Sequence, residues 1–231
     1  MREIIKSLDN SRVKQWAKLL TKKARKSTGL FLVEGHNIVA EATAAGNVRE
    51  YITTDEKLEG ILVSQQVMKK ITGAVTPQSI VAVCEKPKEK ELGSRVLVLR
   101  NVQDPGNAGT LIRTAKAFNF TDVIIQGVDP FSDKSLRSSQ GSIFKLNLIH
   151  TKDALSYLKD HQIISSILDK EAITYNEFKP TGKFALVLGN EGQGIDQEMI
   201  DASDAKVYIP IDFESLNVAI AGGILMNEYK G

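Results

Sequence analysis

The sequence predicts an α/β protein of two domains, a small N-terminal α/β domain and a C-terminal domain with a mostly parallel sheet. From residue 95 onward, short apolar segments alternate with helical ones, which is typical of parallel strands covered by helices on both faces. A polar, charged stretch at residues 85–94, interrupted by Pro87, separates this pattern from the first part of the chain. We therefore predict domains at residues 1–92 and 93–231.

The N-terminal domain is predicted from helical and strand patterns in its first half. Residues 10–26 carry apolar side chains at helical spacing, and Asn10 or Ser11 would cap the start of this single helix. Apolar runs at residues 30–33 and 80–83 predict strands, with polar helical stretches between them. These elements are enough for a small α/β domain.

Charge is distributed unevenly along the chain. The net charge is +2, but residues 1–30 contain nine Lys or Arg and two Asp or Glu, so this segment carries +7 and the remainder −5. The predicted helix at 10–26 presents a basic stripe formed by Lys14, Lys18, Lys22 and Arg25. Such a stripe either follows the phosphate backbone of an anionic polymer or is simply a solvated helix face, and charge alone leaves both interpretations open.

The C-terminal domain is predicted from alternating patterns. We predict helices at residues 108–118, 153–159 and 216–229, and strands at 95–101, 122–126, 145–149, 162–167, 184–188 and 207–211. The last helix is apolar nearly all round, which predicts burial in the core or at a subunit interface. Its Gly222-Gly223 pair would let the backbone approach a neighbouring element closely.

Composition excludes several classes of protein. Cys84 is the single cysteine, so a disulfide framework and a multi-cysteine zinc site are both excluded. No apolar run is long enough to cross a bilayer, and the first residues lack the apolar stretch of a secretory signal. We expect a cytoplasmic protein with no metal and no membrane partner.

Three segments of the C-terminal domain carry polar or glycine-rich signals directly after predicted strands. In the first, a Pro/Gly turn leads into a helix near Asn107, with Arg113 within its first two turns. This junction brings backbone N–H groups and an arginine to the carboxyl edge of the sheet, where open α/β folds bind ligands. The segment matches neither the dinucleotide-binding fingerprint nor the P-loop.

The other two segments follow the last two predicted strands. The stretch at residues 186–195 is an apolar strand followed by three glycines, which would let the backbone wrap closely around a ligand. In the stretch at 209–219, Ser215 is a natural N-cap for the last helix, and Asn217 is an amide that needs partners if it is buried. Each of the three segments alone also fits an ordinary strand-to-helix connection.

Taken together and in this order, the three segments resemble the SpoU family of the SPOUT methyltransferase class over about residues 95–231. The resemblance rests on Asn107-Ala-Gly109 with Arg113 six residues after the Asn, on Gly189-Asn190-Glu191-Gly192-x-Gly194, and on Ser215-Leu216-Asn217-Val218. The N-terminal part is similar to the substrate-binding domain of the same family, which has a ribosomal-protein-like RNA-binding fold, on the basis of Phe31-Leu-Val-Glu34-Gly35-His36 and Glu41-Ala42.

The resemblance implies a sheet with a trefoil knot, an exception to the rule against knotted chains. It also implies S-adenosylmethionine as the methyl donor and a ribose 2′-hydroxyl of structured RNA as the acceptor, with ribosomal RNA of the 23S type preferred and transfer RNA as the alternative. Members of the family are homodimers whose active sites are built from both subunits. The implied donor-binding residues are Leu188, Gly189, Asn190, Gly192, Gly194, Ile209, Ile211, Leu216 and Asn217.

The resemblance further implies catalytic roles for Arg113, Asn107, Glu191, Ser215 and Asn217. Because a guanidinium stays protonated, we predict that Arg113 binds the target phosphate and stabilises the developing alkoxide. Asn107 and Asn217 would orient Arg113 and the ribose, Glu191 would hold the glycine-rich loop or Arg113, and Ser215 would bond the donor or the ribose. With Arg113, the basic stripe Lys14, Lys18, Lys22 and Arg25 would contact RNA.

One departure from the family pattern lies between the Ile-Pro and Ser-Leu-Asn elements. The family usually has a longer, glycine-containing loop here, whereas this chain has Ile211-Asp212-Phe213-Glu214. The shorter loop would either tighten the donor pocket or weaken donor binding.

Two other classes of function remain as alternatives. A nucleotide-dependent oxidoreductase would need the dinucleotide fingerprint, which this sequence lacks. A non-catalytic RNA-binding or ribosome-assembly factor would keep the basic arm but would have no need of Arg113 or Asn217. Both residues are present, which favours an enzyme.

Overall fold

The computed structural model describes residues 2–230, so the ends of the two predicted domains, Met1 and Gly231, lie outside the described residues. The chain divides into two compact α/β units. One contains the residues up to Pro87 together with Phe131–Leu136, and the other contains Lys88–Pro130 and the residues from Arg137 onward. No helix within residues 2–230 is both long enough and apolar enough to span a membrane.

The first unit is a four-stranded sheet with four helices. Its elements are α1 (Ser11–Lys18), α2 (Lys22–Thr28), β1 (Leu30–Glu34), α3 (His36–Ala44), β2 (Val48–Thr53), β3 (Ile61–Leu62), α4 (Gln65–Thr72) and β4 (Ile80–Glu85). The sheet order is β1-β4-β2-β3, with β4 antiparallel to both neighbours and β3 parallel to β2. Val13 and Trp16 of α1 pack with Val67, Met68 and Ile71 of α4 in its core.

The prediction of one helix over residues 10–26 is wrong, because the chain breaks into α1 and α2. Asn10 caps α1, and the Thr21 side chain caps α2 by accepting from the Ala24 N–H at 3.3 Å. Arg25 donates from Nη1 to the carbonyls of Leu19 and Leu20, both at 2.8 Å, which satisfies oxygens released where α1 ends. Arg25 is therefore buried, and the prediction that it belongs to an exposed basic stripe is also wrong.

A short segment far along the chain completes the first unit. Phe131 packs its ring against Phe31 with centroids 4.8 Å apart, and the Lys86 ammonium lies 4.9 Å from the centroid of the Phe131 ring. This segment leads into α6 (Asp133–Ser139). No pattern in the sequence indicates this contact, because it joins residues about one hundred positions apart.

The second unit is a seven-stranded sheet in which every pair of neighbouring strands is parallel. The order is β7-β6-β5-β10-β8-β11-β9. Its strands are β5 (Arg95–Val102), β6 (Asp122–Gly127), β7 (Asn147–His150), β8 (Gln162–Ser166), β9 (Ile173–Thr174), β10 (Phe184–Leu188) and β11 (Ala205–Tyr208), and its other helices are α5 (Pro105–Ala117), α7 (Gln197–Asp201) and α8 (Val218–Glu228). The predicted mostly parallel sheet is confirmed, and the trefoil knot stays a prediction.

Helices α5 and α8 pack against each other on one face of this sheet. Gly222 is buried at this contact, where an added Cβ would lie 2.6 Å from Leu188 Cδ1 of β10. The predicted close approach at Gly222 is confirmed, whereas Gly223 faces open space. A side chain at position 222 would therefore require the Leu111 and Leu188 side chains to move, and glycine lets α8 lie close to the strand that ends in the glycine-rich segment.

Several element boundaries differ from the predictions, and three of the differences bear on the site or its surroundings. The helix predicted at 153–159 is only a single 3-10 turn, Leu155–Tyr157, and β11 ends at Tyr208, which leaves Ile209 and Ile211 in a loop. The last helix begins after Asn217, whose side chain accepts from the Ala219 N–H at 2.9 Å, so Ser215 is not its cap. Both residue types are good N-caps, and only the tertiary contacts of Asn217 decide between them.

Part of the stretch predicted as a linker is fixed to the second unit. Lys90 exchanges two hydrogen bonds with the Asn147 side chain, at 2.9 Å through its N–H and 3.0 Å through its carbonyl. The Gly93 N–H donates to the Asp122 carboxylate at 2.9 Å. These bonds attach residues 90–93 to the first residues of β7 and β6, so this part of the stretch is not a flexible linker.

Candidate functional site

The predicted donor-binding residues meet at a cavity on the carboxyl edge of the parallel sheet. Strands β10, β8 and β11 are adjacent, so the segments that follow them emerge side by side, where ligands of open α/β sheets bind. The cavity has a volume of about 500 Å³. It is lined by residues from the ends of these strands and from α8, including Ser166, Leu188, Gly189, Asn190, Glu191, Gly192, Gly194, Ile195, Ile209, Ile211, Glu214, Ser215, Leu216 and Val218. Of the predicted donor-binding residues, only Asn217 does not line it.

One wall of the cavity is residues 189–195, here called the glycine loop, and hydrogen bonds fix it firmly. Asn190 and Gly194 exchange two backbone hydrogen bonds, each 2.9 Å long. The Asn190 side chain accepts from the N–H groups of Gly192 at 2.8 Å and Gln193 at 2.9 Å, and donates to the Asn101 carbonyl at 2.9 Å. The loop is thereby closed on itself and joined to the end of β5.

Glycine is required where this loop closes. A Cβ on Gly189 would lie 2.5 Å from the Gly194 carbonyl oxygen and 2.6 Å from the Ile195 nitrogen, both of which are backbone atoms with little freedom to move. Gly194 has a φ of 71°, in the left-handed region that glycine occupies without strain. The pattern of glycines therefore reflects the closure of the loop as well as access to the cavity.

A chain of hydrogen bonds joins all three motif segments beside the cavity. The Asn217 amide donates to Asn107 Oδ1 at 3.1 Å, and the Asn107 amide donates to Glu191 Oε1 at 3.0 Å. Glu191 also accepts from the backbone N–H groups of Gln103 at 3.1 Å and Asp104 at 3.2 Å. This chain fixes the starts of α5 and α8 relative to the glycine loop.

These contacts keep Glu191 ionised. Burial by itself would raise the pKa of the Glu191 carboxyl. Hydrogen bonds from the Asn107 side chain and from backbone N–H groups, Gln103 and Asp104 among them, outweigh burial and hold the pKa of Glu191 below its usual value. The prediction that Glu191 holds the glycine loop agrees with this geometry.

A second polar network anchors the far end of the glycine loop. Arg100 is buried and donates to both carboxylate oxygens of Asp196, at 2.6 and 2.9 Å, to Glu198 at 2.6 Å and to Gln126 at 2.9 Å. The guanidinium lowers the pKa of Asp196, which also caps α7. None of these residues was singled out from the sequence, because no local pattern marks a contact that spans 96 positions.

Another wall includes residues 211–215, here called the acidic loop, and this loop has far fewer internal hydrogen bonds. Asp212, Phe213, Glu214 and Ser215 are all exposed, and Phe213 is 80% exposed. The side chains of these four residues form no hydrogen bond or ion pair with any residue in the described range 2–230. Ile211, Glu214 and Ser215 nevertheless line the cavity.

Arg113 is not brought to this cavity within a single chain. It is exposed, and it makes no hydrogen bond or ion pair with the rest of residues 2–230. Residues six apart in a helix lie about 120° apart around the axis and about 9 Å along it, so Arg113 and Asn107 occupy different faces of α5. The structure does not place Asn107 or Asn217 in contact with the Arg113 side chain.

The lysines of the basic stripe remain at the surface of the first unit. Lys14, Lys18 and Lys22 are exposed, and Lys14 pairs with the exposed Asp9 at 2.8 Å. An ion pair this exposed contributes little to stability, so it leaves Lys14 able to exchange partners. These residues form a basic surface on α1 and at the start of α2.

Comparison with known proteins identifies both parts of the chain. Residues 94–227 match the model of the SpoU rRNA Methylase family, and residues 10–82 match that of the MRM3-like substrate binding domain. The chain is 37% identical to the 23S rRNA (guanosine(2553)-2′-O)-methyltransferase RlmP of Bacillus subtilis, over 98% of this chain and 99% of that protein.

Other relatives agree. The chain is 28% identical to the 23S rRNA (guanosine-2′-O-)-methyltransferase RlmB of Acinetobacter baylyi, over 75% of this chain and 73% of that protein. It also resembles the AdoMet-bound crystal structure of an rRNA methyltransferase from Sinorhizobium meliloti, with a TM-score of 0.86, 28% identity and coverage of 98% of this chain and 96% of that one. With a cavity lined by the matched motifs and a family model that covers residues 94–227, more than half of the chain, this chain belongs to the SpoU rRNA methylase family.

Proposed function

We propose that this chain transfers a methyl group from S-adenosylmethionine to a ribose 2′-hydroxyl of ribosomal RNA. The observation that carries the proposal is the hydrogen-bonded chain Asn217–Asn107–Glu191, which joins the three family motifs at the edge of one cavity. The relatives support ribosomal RNA, because RlmP and RlmB both bear the name of a 23S rRNA 2′-O-methyltransferase. RlmP matches this chain over nearly its full length.

The cavity suits S-adenosylmethionine in size and in the chemistry of its walls. Its volume of about 500 Å³ lies within the usual range for a small-molecule site. Leu188, Ile195, Ile209, Leu216 and Val218 provide apolar surface for an adenine ring, and the glycine loop presents backbone polar groups without intervening side chains. When bound, S-adenosylmethionine supplies a methyl group already activated on a sulfonium.

The residues of this chain would supply positioning and charge. Arg113 would bind the phosphate next to the target ribose and stabilise the negative charge that develops on the 2′-oxygen. Asn107 and Asn217 would hold the starts of two helices at the reacting site, and Ser215 would bond the donor or the ribose. Much of the rate would then come from alignment of the hydroxyl with the methyl group.

We further propose that the enzyme is a homodimer and that Arg113 acts at the cavity of the partner subunit. Arg113 is exposed, carries no contact of its own within residues 2–230 and does not line the cavity of its own chain. Helix α8 is strongly apolar yet exposes Ile220 to 57%, which leaves apolar surface for a second subunit. Arg113 and Ile220 lie on α5 and α8, which pack together.

We assign substrate binding to residues 1–92 and catalysis to residues 93–231. Lys14, Lys18 and Lys22 would contact phosphates without reading sequence, so RNA affinity should fall steeply with salt. The nucleotide itself would be selected by loop or single-stranded RNA shape. We expect the enzyme to work in the cytoplasm, on ribosomal RNA.

The first test of function is the transfer of labelled methyl from S-adenosylmethionine to ribosomal and transfer RNA from a strain that lacks this protein. We expect label in a 2′-O-methylated nucleotide of ribosomal RNA. Arg113→Ala should lower transfer by about 100-fold or more, because it removes a group that stabilises developing charge. Donor affinity should change by less than about twofold, since Arg113 would contact the RNA phosphate and the ribose oxygen rather than the donor.

The outcomes separate the proposed function from its alternatives. Label in transfer RNA alone would overturn the substrate class but not the chemistry. Absence of transfer to either RNA, with RNA binding retained by both the wild type and the variant, would favour the non-catalytic RNA-binding factor.

Mixing two inactive variants tests which subunit of the dimer supplies Arg113 to a given cavity. Arg113→Ala keeps its cavity, and Ile209→Trp keeps Arg113 but fills the cavity from its half-buried wall. If Arg113 acts across the dimer, each mixed dimer has one complete site, and a random mixture recovers about a quarter of wild-type activity. No recovery, with mixed dimers demonstrated by differently tagged chains, would place Arg113 at its own cavity instead.

A further inference from the structure

The cavity carries charge of only one sign. All of its lining residues belong to the described part of the chain, and the only charged side chains among them are Glu191 and Glu214. No lysine, arginine or histidine lines it. A cavity of this volume is about 10 Å across if taken as a sphere, so a bound ligand lies within roughly one Debye length of both carboxylates.

The two carboxylates differ in what they already do. Glu191 is engaged by Asn107 and by two backbone N–H groups, and it fixes the glycine loop. Glu214 forms no hydrogen bond or ion pair with any residue between 2 and 230. Its charge is therefore not compensated by the protein, and nothing in the described fold depends on it.

Methyl transfer changes the charge of the small molecule in this cavity. The ribose oxygen forms a bond to the methyl carbon as the carbon–sulfur bond breaks, and the electron pair of that bond returns to sulfur. The hydroxyl proton leaves to solvent. At neutral pH the donor carries one net positive charge, whereas the product S-adenosylhomocysteine carries none, and the two molecules otherwise differ only by the methyl group.

We propose that Glu214 is a specificity-determining residue that makes the cavity prefer the cationic donor over the neutral product. The inference rests on the proposed function and deepens it. The negative walls attract the donor before transfer and lose that attraction once the sulfur is neutral, which favours exchange of product for fresh donor. The short acidic loop, which lacks the family's glycine, thus contributes a charge to the cavity wall.

The expected effect is moderate, because Glu214 is exposed and water screens it. Two unit charges about 5 Å apart change an equilibrium by about fourfold at the dielectric constant of water, and by up to about tenfold where the dielectric is somewhat lower. We therefore expect Glu214→Gln to weaken S-adenosylmethionine binding by about three- to tenfold and to change S-adenosylhomocysteine binding by less than twofold. Glu214→Lys should enlarge the difference in the same direction.

Isothermal titration calorimetry of the full-length protein tests this with three ligands. S-adenosylmethionine and S-adenosylhomocysteine are compared with sinefungin, which carries an ammonium group in place of the methylsulfonium and keeps the positive charge. Sinefungin should follow the donor across the variants, because charge rather than the sulfonium itself is recognised. Raising the salt concentration should reduce the preference for both cations.

Asp212→Asn is the matched control. Asp212 lies in the same loop, is exposed and carries the same charge, but it does not line the cavity. It should leave the ratio of donor to product affinity within about twofold of the wild type, because a more distant exposed charge is screened.

The results distinguish this inference from the proposed function. A selective loss of donor and sinefungin affinity in Glu214→Gln supports the inference. Equal losses for donor and product, or the same selective loss in Asp212→Asn, overturn it and leave the methyltransferase function standing. Failure of all three ligands to bind the wild-type protein would overturn the proposed function together with the inference.

Discussion

The two loops that line the cavity differ in how they are held. The glycine loop is closed by a pair of backbone hydrogen bonds. The Asn190 side chain accepts from N–H groups within the loop, and Glu191 accepts from Asn107 outside it. The acidic loop exposes Asp212, Phe213 and Glu214, whose side chains hold no partner within residues 2–230. The glycine loop is therefore ordered before any ligand binds, whereas the side chains of the acidic loop are not fixed by hydrogen bonds or ion pairs within residues 2–230.

This difference suggests that one loop contributes mainly to ligand affinity and the other to the charge preference of the cavity. A wall that is already ordered loses little conformational freedom when a ligand binds, so it contributes affinity through preorganisation. A wall with few internal bonds can change its side chains without unfolding the protein, so it is suited to adjusting charge preference. Substitutions at the closure of the glycine loop should therefore affect stability and binding together, whereas those in the acidic loop should leave stability unchanged and affect binding only where the side chain lines the cavity.

The largest effect is expected for Gly189→Ala. Its Cβ would lie 2.5 Å from the Gly194 carbonyl oxygen, and the hydrogen bonds of the loop leave that oxygen no room to move. We expect the free energy of unfolding to fall by about 3 kcal/mol and donor binding to be lost, because the loop must open. Urea denaturation and calorimetry measure the two quantities.

Gly192→Ala is the matched control for this prediction. A Cβ at Gly192 has only one neighbour, the Asn190 Oδ1 atom, at an ordinary contact distance of 3.7 Å. Its unfolding free energy should stay within about 0.5 kcal/mol of the wild type. Equal destabilisation by the two alanines would contradict the idea that closure at Gly189 is what fixes this wall.

The next largest effect concerns Arg100, which anchors the end of the same wall. Arg100→Met keeps most of the side-chain volume but removes the guanidinium that donates to Asp196, Glu198 and the Gln126 amide oxygen. We expect a loss of about 2–3 kcal/mol, below the cost of breaking a fully buried pair because the Asp196 side chain is 39% exposed. A loss below 0.5 kcal/mol in urea denaturation would show that the network does not hold the loop.

The fold was predictable where the signal is local. Alternating apolar strands and helices predicted the parallel sheet, because buried parallel strands need continuous apolar runs. The break between α1 and α2 was not predictable, since it depends on Arg25 bonding two carbonyls rather than facing solvent. A basic residue at helical spacing looks the same in either role.

For the candidate site, the sequence motifs indicated the residues that meet there but not the hydrogen bonds that join them. The motifs named Asn107, Glu191 and Asn217, and these three do form one hydrogen-bonded chain. The Arg100–Asp196 pair was missed because its members are far apart in sequence and belong to no motif. That Asn217 rather than Ser215 caps α8 depends on a partner 110 positions away, which no local rule reveals.

A smaller effect is expected for Glu191→Gln, and it should depend on pH. The folded-state pKa of Glu191 lies below its usual value of 4.5, so its carboxylate stabilises the fold above pH 4.5 and that contribution disappears as the pH falls through the folded pKa. At pH 7 the glutamine variant should be less stable by about 1 kcal/mol, allowing for solvent screening. Unfolding curves of both proteins should converge as the pH is lowered below 4.5 and through the folded-state pKa. A difference that is constant with pH would show that shape rather than charge holds the loop.

The smallest effect is expected in the acidic loop, for Phe213→Ser. The Phe213 ring is 80% exposed and packs against none of the aromatic rings or cations within residues 2–230, so its removal should change the free energy of unfolding by less than about 0.5 kcal/mol. Donor affinity should also be unchanged, because Phe213 does not line the cavity. Urea denaturation at two protein concentrations makes the measurement informative, since a dimer interface that buried the ring would make its loss depend on concentration. A concentration-independent loss above 1 kcal/mol would contradict the proposed difference between the two loops, because it would mean that the acidic loop is held within its own chain as firmly as the glycine loop.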